Sequence, residues 1–161
     1  MKNINSYITE KLNNLKPQTR KELKQIIQER IRKEGPKCDL NDINVSNIED
    51  MSYLFCNSEF NGDISKWDVS HVIDMAGMFD HSVFNGNIAD WNVSNVENME
   101  YMFECSIFNG DISNWDVSNV KNMQLMFASS KFTGDISKWN VSNVTDMYYM
   151  FASSKFTGDI Y

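Results

Sequence analysis

Two histidines and three cysteines are the side chains of this sequence best suited to metal binding or nucleophilic chemistry. His81 and Cys105 lie 24 residues apart, and Cys56 lies one residue from the same register. A zinc site needs about four ligands, whereas this group offers two or three. We therefore predict no metal site and interpret these residues as polar surface or small core positions. Cys56 and Cys105 are expected two repeats apart, at about 10 Å, which is too far for a disulfide bond.

Acidic and amide residues form two regular series, which raise the question of calcium. They are Asp63, Asn87, Asp111, Asp135 and Asp159, and Asp68, Asn92, Asp116 and Asn140. Clustered carboxylates suit a hard cation, but the glycine-rich nonapeptide of calcium-binding β-rolls is missing. Asx side chains also accept hydrogen bonds from nearby backbone amides in turns. The pattern favours this local turn role over calcium binding.

Sequence motifs for catalysis are missing. The chain contains no P-loop, no G-x-S-x-G element and no H-E-x-x-H element. Each Gly-Asp turn holds a single glycine, too few for a loop that cradles phosphate. Near-identical repeats also rarely form a catalytic pocket. We predict that the protein is not an enzyme and that it has no catalytic residue and no cofactor.

A repeat of 24 residues organises the chain from residue 38 onward. We call each set of residues at this spacing a column. All four tryptophans, all ten phenylalanines and nine of the ten methionines fall into columns. The columns include Gly62, Gly86, Gly110, Gly134 and Gly158; Trp67, Trp91, Trp115 and Trp139; Phe55, Phe79, Phe103, Phe127 and Phe151; Phe60, Phe84, Phe108, Phe132 and Phe156. A weaker copy precedes them at residues 40–48.

One unit of this length cannot enclose its own apolar side chains, so successive units must stack as coils. Residues 62–69 begin at a glycine and place Ile64, Trp67 and Val69 as a short strand would. Ser70 then resembles an N-cap, and the apolar spacing over 72–79 predicts a helical or 3₁₀ stretch. Parallel strands joined by helical crossovers coil right-handed. We therefore predict an α/β repeat solenoid of about five units.

The apolar columns are expected to form the core of the stack. For the tryptophan column, packing in the core or at a sheet edge is favoured over an exposed aromatic strip that binds sugar or protein. The five repeat glycines are expected at positive φ or at close backbone contacts that a Cβ would obstruct. The chain stops at Tyr161 without a recognisable cap, so we expect another molecule or further residues to cover the last edge.

Residues 1–37 differ from the rest in charge and pattern. They carry ten Lys and Arg against four Asp and Glu, a net charge of +6, whereas residues 38–161 carry five against eighteen, a net charge of −13. Residues 6–15 are predicted to form a short helix. Thr19 and Glu22 form a capping box that opens a second helix, which Gly35 and Pro36 end. We predict a basic helical N-terminal cap over 1–37, favoured over a helix that binds an anionic membrane or nucleic acid, and an acidic repeat domain over 38–161.

The repeat resembles a known family of bacterial proteins. Units such as Phe108-Asn109-Gly110-Asp111-Ile112-Ser113-Asn114-Trp115-Asp116-Val117-Ser118-Asn119-Val120 are similar to those of the BspA-like leucine-rich-repeat surface proteins. The resemblance covers residues 38–161. It implies a leucine-rich-repeat-like fold and a role in adhesion or protein binding at the cell surface. The opening residues contain neither a secretory signal nor a lipidation motif, so the sequence leaves the location open between surface, secreted and internal.

Binding without catalysis is the predicted function, with a protein or glycan as the ligand. The alternative is a structural spacer or self-assembling module, and end-to-end self-association is left open. Composition excludes wholesale disorder, and no apolar run is long enough for a membrane span. The acidic repeats would repel a phosphate backbone, so we predict no nucleic-acid partner. The candidate binding face consists of outward residues, most of which vary between units: Asp63, Lys66, Asp90, Asp111, Asn114, Asp135 and Lys138.

Overall fold

The computed structural model describes residues 16–158. Its single helix, α1 (Arg20–Glu34), begins and ends where the sequence predicts. The Thr19 hydroxyl accepts a hydrogen bond from the Glu22 amide at 3.2 Å, and Gly35 ends the helix at a φ of 91°. The helix predicted at residues 6–15 and the acidic position Asp159 lie outside the described residues.

Successive 24-residue units stack directly on one another, as the repeat predicts. The Met75 amide donates to the Asn98 carbonyl of the next coil at 2.9 Å, and the Met99 amide repeats this bond to Asn122 at 2.9 Å. The rings of Phe103 and Phe127 lie with centroids 5.6 Å apart and nearly parallel. Side chains of one column therefore contact each other from coil to coil.

The predicted α/β class is wrong. Within residues 16–158 the repeats contain no helix and no continuous strand, and the only strand-like pairings are five isolated parallel bridges. The stretch predicted as a strand, 62–69, contains a reverse turn in which the Trp67 amide donates to the Ile64 carbonyl at 3.2 Å. The predicted helical crossover over 72–79 is likewise built of turns, so there is neither a parallel sheet nor a leucine-rich-repeat-like alternation of strand and helix.

Each coil instead changes direction at four reverse turns. In the second coil they run from Ile64 to Trp67, Val69 to Val72, Met75 to Met78 and Phe79 to Ser82, each closed by an amide-to-carbonyl bond between its ends. A further turn from Gly77 to Asp80 overlaps the last two. Gly77 and His81, at the third position of the last two turns, have φ values of 57° and 52°, as type II turns require. Because four turns separate short straight segments, the periodic apolar residues face inward without forming a helix.

Asp and Asn side chains stabilise three of these turns, which we call Asx corners. Asp63, Asp68 and Asp74 each accept a hydrogen bond from the backbone amide two residues later, at 2.9, 3.1 and 2.8 Å. The same bond recurs in the neighbouring coils, with Asn in place of Asp at several positions. This confirms the local turn role of both acidic series within the described residues. Ser70 is not an N-cap, since its hydroxyl contacts Asp68 at 2.6 Å and no helix follows it.

Aromatic columns fill the interior. The phenylalanines of the inner coils are at most 1% exposed, and the tryptophans are 3–4% exposed. Each indole N–H reaches the preceding coil, as Trp115 donates to the Ile88 carbonyl at 3.1 Å. The tryptophan column is therefore core, as predicted, and it also satisfies a buried carbonyl.

The repeat glycines are required because a Cβ would have no room, not because of a positive φ. None of the five has a φ in the left-handed region. A Cβ added to Gly110 would meet the ring of Phe108 at 2.8 Å. The prediction of a close backbone contact is confirmed at Gly62, where a Cβ would collide with the Cys38 carbonyl oxygen, and is wrong for Gly110, where the atom that excludes the Cβ belongs to an aromatic ring.

Helix α1 covers the first coil. Leu23, Ile26 and Ile27 are at most 9% exposed and share one core cluster with the coils. At the edge of this contact, Arg20 Nη1 donates to the Ser52 carbonyl at 2.7 Å and Lys24 Nζ to the Tyr53 carbonyl at 3.1 Å. The basic side chains of the helix therefore bind backbone carbonyls of the coil. The division into a cap over 1–37 and repeats over 38–161 stays a prediction.

Replacement of Gly110 by alanine is expected to destabilise the protein. The added Cβ forces the Phe108 ring out of its column, which costs about 1–3 kcal/mol. Thermal unfolding should therefore show a lower Tm for Gly110→Ala. Ser113→Ala in the same coil is the matched control. It should have the same Tm as the native protein, because Ala89 occupies that column naturally. An unchanged Tm for Gly110→Ala would contradict the steric role of the ring.

Replacement of Asp68 tests the Asx corners. Hydrogen bonds from the Ser70 hydroxyl and amide lower the pKa of the Asp68 carboxyl. Because the folded pKa lies below the unfolded value, this carboxylate stabilises the fold above about pH 4 and loses its effect as the pH falls through the folded pKa. At pH 7, Asp68→Ala should cost about 1 kcal/mol in urea unfolding.

Asp68→Asn is the control for this variant, because Asn92 makes the same bonds in the next coil at 3.1 and 2.7 Å. Asp68→Asn should have the native free energy of unfolding at pH 7. When the pH is lowered, its free energy of unfolding should fall less than that of the native protein. If Asp68→Ala and Asp68→Asn lost the same stability at pH 7, the turn would not depend on a side-chain oxygen that accepts hydrogen bonds at position 68.

Candidate functional site

The seven residues of the predicted binding face are all exposed. Three of them are less available than expected, because Asp63, Asp111 and Asp135 each accept the backbone amide of a serine two residues later, at 2.9 Å. These bonds lower the pKa of all three carboxyls. One oxygen of each carboxylate is thus engaged in its own corner.

The other four residues of this face form a single column. Lys66, Asp90, Asn114 and Lys138 occupy the third position of the turn that ends at the tryptophan, and their side chains are exposed. Hydrogen bonds from Ser113 and Ser137 are the main causes that lower the pKa of Asp111 and of Asp135, and the charge of Lys138 adds to both effects. The four residues follow one another from coil to coil, and we call them the polar strip.

A second exposed face was missed by sequence reasoning. Tyr53, Tyr101, Leu125 and Tyr149 share one column, in which Gly77 takes the second place. Tyr53 is 38% exposed, Tyr149 is 58% exposed and the adjacent Tyr148 is 59% exposed, whereas Tyr101 and Leu125 are half-buried. We call Tyr53, Tyr101, Leu125, Tyr148 and Tyr149 the tyrosine face. Because these residues fall in the stretch predicted to be helical, only their variation between units could have revealed them.

Gly77 gives the tyrosine face its shape. A Cβ at this position would overlap the ring of Tyr53, so the ring packs directly against the glycine. The rings of Tyr148 and Tyr149 form a second group, with centroids 4.0 Å apart. Tyr53, Tyr101, Leu125 and Tyr149 all have φ values of 53–56°, which bulky residues rarely adopt. The fold therefore holds large side chains on its surface at positions where small residues would be less strained.

Carboxylates lie beside these rings. Burial raises the pKa of Glu104, and the neighbouring charge of Asp80 raises it further. Burial also raises the pKa of Tyr53, followed by the charge of Glu100. Asp80 in turn contacts His81 Nδ1 at 2.5 Å. The middle of the tyrosine face thus combines aromatic rings with hydrogen-bond acceptors of negative charge.

His81 and Cys105 occupy equivalent exposed turn positions, with φ values of 52° and 51°. Cys56 lies one column away, where its thiol contacts Asp80 at 3.5 Å, and burial raises its pKa. All three cysteines are free thiols. Among residues 16–158 there is no group of three or more His, Cys, Asp and Glu side chains arranged to hold a metal ion. The prediction of no metal site stays a prediction.

The one helix of residues 16–158 is too short and too polar to cross a lipid bilayer.

Comparison with known proteins places the repeat in a family. No curated protein and no solved structure was found to match the chain. A family described as "Mycoplasma protein of unknown function, DUF285" matches residues 21–131 and 84–161, which together include all of the repeats and all but the first residue of α1. Because these matches span most of the sequence, the chain belongs to the DUF285 family of repeat proteins.

Proposed function

We propose that this protein binds a protein or glycan ligand without catalysing a reaction. The observation that carries the proposal is the exposure of Tyr148 and Tyr149, at 59% and 58%, on a scaffold that buries its tryptophans and the phenylalanines of its inner coils. Tyrosine combines a large apolar ring with a polar hydroxyl and is enriched at binding interfaces for that reason. An exposed group of such rings marks a surface for interaction.

The chemistry beside the rings supports the same proposal. Glu100, Glu104 and Asp80 can accept hydrogen bonds from sugar hydroxyls or from protein side chains, while the tyrosine rings supply flat apolar surface. The polar strip of Lys66, Asp90, Asn114 and Lys138 is a second contact surface, and its changes of charge between coils can give specificity. No residue is proposed to be catalytic.

Membership of the family supports a proposal about where the protein acts. DUF285 repeat proteins are related to BspA-like repeat proteins, which the 24-residue unit resembles. We propose an adhesive or other surface interaction role on this basis, at the cell surface or in a secreted form.

A structural role without a specific ligand is the second candidate. It is favoured by the carboxylates of Asp63, Asp111 and Asp135, which serve the corners of the coil. Residues engaged in this way support the scaffold whether or not a ligand binds. Binding of a ligand by the tyrosine face would favour the binding function over the structural role.

The proposal is tested on a glycan array and a protein array probed with the full chain. We expect the native protein to bind a defined ligand and Tyr148→Ser/Tyr149→Ser to bind it at least tenfold more weakly, because the stacking surface is lost. Ile107→Ser is the matched control, since it removes an apolar side chain that is 44% exposed in another column.

The polar strip is tested in parallel with Lys66→Glu/Lys138→Glu. Its control is Lys131→Glu/Lys155→Glu, which reverses the charge of two exposed lysines of another column. Absence of any captured ligand would favour the structural role, and equal binding by all variants would place the site on another surface.

A further inference from the structure

Two tyrosine rings in the first three coils lie beside each other's column on the tyrosine face. The ring of Tyr53 packs directly against Gly77 of the second coil, and Tyr101 follows in the same column in the third coil. The Gly77 amide donates to the Glu100 carbonyl at 2.7 Å, so the second and third coils are in direct contact at this point. The two rings therefore border one stretch of surface that consists of neighbouring coils.

Three carboxylates share this stretch of surface with the rings. Asp80 lies in the second coil, Glu100 and Glu104 lie in the third, and all three are half-buried. Burial raises the pKa of Tyr53 and of Tyr101, and the negative charge of Glu100 adds to both effects, as expected for a carboxylate beside both rings. We call these two tyrosines and three acidic residues the central patch.

The negative charge of the central patch has no lysine or arginine partner. Among residues 16–158, none of its carboxylates forms an ion pair with either residue type, although Glu97 of another column pairs with Lys121 at 2.6 Å. Asp80 contacts the exposed ring of His81, and Glu100 accepts a bond from the neutral Asn122 amide at 3.2 Å. The patch therefore differs from the surface around it in holding unneutralised charge.

The sequence of the repeat leaves this side of the stack without cations. Four columns of turn residues form it, those of Ser52, Tyr53, Cys56 and Asn57, and over five coils they contain three acidic residues and no lysine or arginine. The cations that α1 brings to the first coil, Arg20 and Lys24, bind backbone carbonyls there at 2.7 and 3.1 Å.

Like charges in the central patch also repel one another. Burial raises the pKa of Glu104, and the charge of Asp80 raises it further. A cation placed beside these groups would offset the repulsion. A neutral ligand would cover the carboxylates and leave their charge without a partner, which costs free energy. Charge complementarity therefore favours a positively charged ligand.

We propose that the central patch binds an arginine side chain of a protein partner. The inference rests on the proposed function and narrows its ligand from a protein or glycan to a protein with an exposed arginine. A guanidinium is flat and always charged, and it carries five N–H donors that suit carboxylates. It also stacks on tyrosine rings. A lysine ammonium shares the charge but lacks the flat surface, and a neutral sugar lacks the charge.

The test is an NMR titration of the full, isotope-labelled chain with a peptide of glycine and serine that contains arginine. Saturable shifts should appear at the amides of the central patch and of Gly77. The same peptide with citrulline in place of arginine should bind at least tenfold more weakly, because citrulline keeps the shape of the side chain without its charge. Added salt should weaken binding of the arginine peptide.

Removal of two carboxylates tests the electrostatic contribution. Glu100→Gln/Glu104→Gln should weaken binding of the arginine peptide at least tenfold, and Gln124 in the column of Glu100 shows that the coil accepts glutamine there. The matched control is Glu59→Gln/Glu97→Gln, which removes the same charge from two exposed residues of other columns. This control should bind like the native protein.

Removal of one ring tests the aromatic contribution. Tyr101→Leu should weaken binding about threefold, and Leu125 in the same column shows that the coil accepts this side chain. Circular dichroism checks that each variant keeps the native Tm.

Three results would overturn the proposal: no binding of the arginine peptide by the native chain, equal binding of the arginine and citrulline peptides, or native binding by a folded Glu100→Gln/Glu104→Gln variant. Shifts of the central patch with a glycan and none with the arginine peptide would also overturn it, while the proposed function would stand. The ligand arrays are a separate measurement, because their variant changes Tyr148 and Tyr149.

Discussion

The ring of Phe103 lies between those of Phe79 and Phe127, with 5.6 Å between centroids on each side. This contact between equivalent side chains of successive coils is the constraint on which the rest of the structure depends. It fixes the coil length at 24 residues, since any other length would carry the rings out of register. It also sets the distance at which backbone amides reach the next coil. Surface residues 24 positions apart are therefore also aligned from coil to coil.

Backbone hydrogen bonds add a direction to one side of this stack. Side-chain stacking alone would leave the two ends equivalent, because a phenylalanine column is apolar at both. Amides at residues 51–57 and their equivalents donate to the next coil toward the C-terminus, whereas those at 73, 83 and their equivalents donate to the preceding coil. On the side formed by residues 51–57, the first coil therefore turns backbone carbonyls toward α1. The position of the basic helix at the carbonyl end is then an electrostatic match as well as an apolar one. The positive charges of Arg20 and Lys24 thus have a structural cause, since they bind backbone carbonyls of the first coil.

The fold class could not be predicted from apolar periodicity, because turns and helices can place the same residues inward. Val72, Met75, Met78 and Phe79 follow a helical spacing, yet they flank reverse turns that Asp74 and its equivalents fix. The third Asx column, which includes Asp74, was the available signal, and it was overlooked beside the other two. The candidate site was limited in the same way. Tyr53 and Tyr149 lay within a predicted helix, whose outward side could not be identified without the turns.

By itself, the sequence determined the 24-residue period, the membership of the aromatic core and the bounds of α1, because apolar columns and capping residues are local or strictly periodic signals. It also determined the Asx role of the acidic series. Only the tertiary structure decided that each coil is made of turns, that tyrosines rather than tryptophans are exposed, and that the first coil turns backbone carbonyls toward α1. The physical reason is that the direction of a backbone hydrogen bond between coils depends on peptide orientation, which no side-chain pattern specifies.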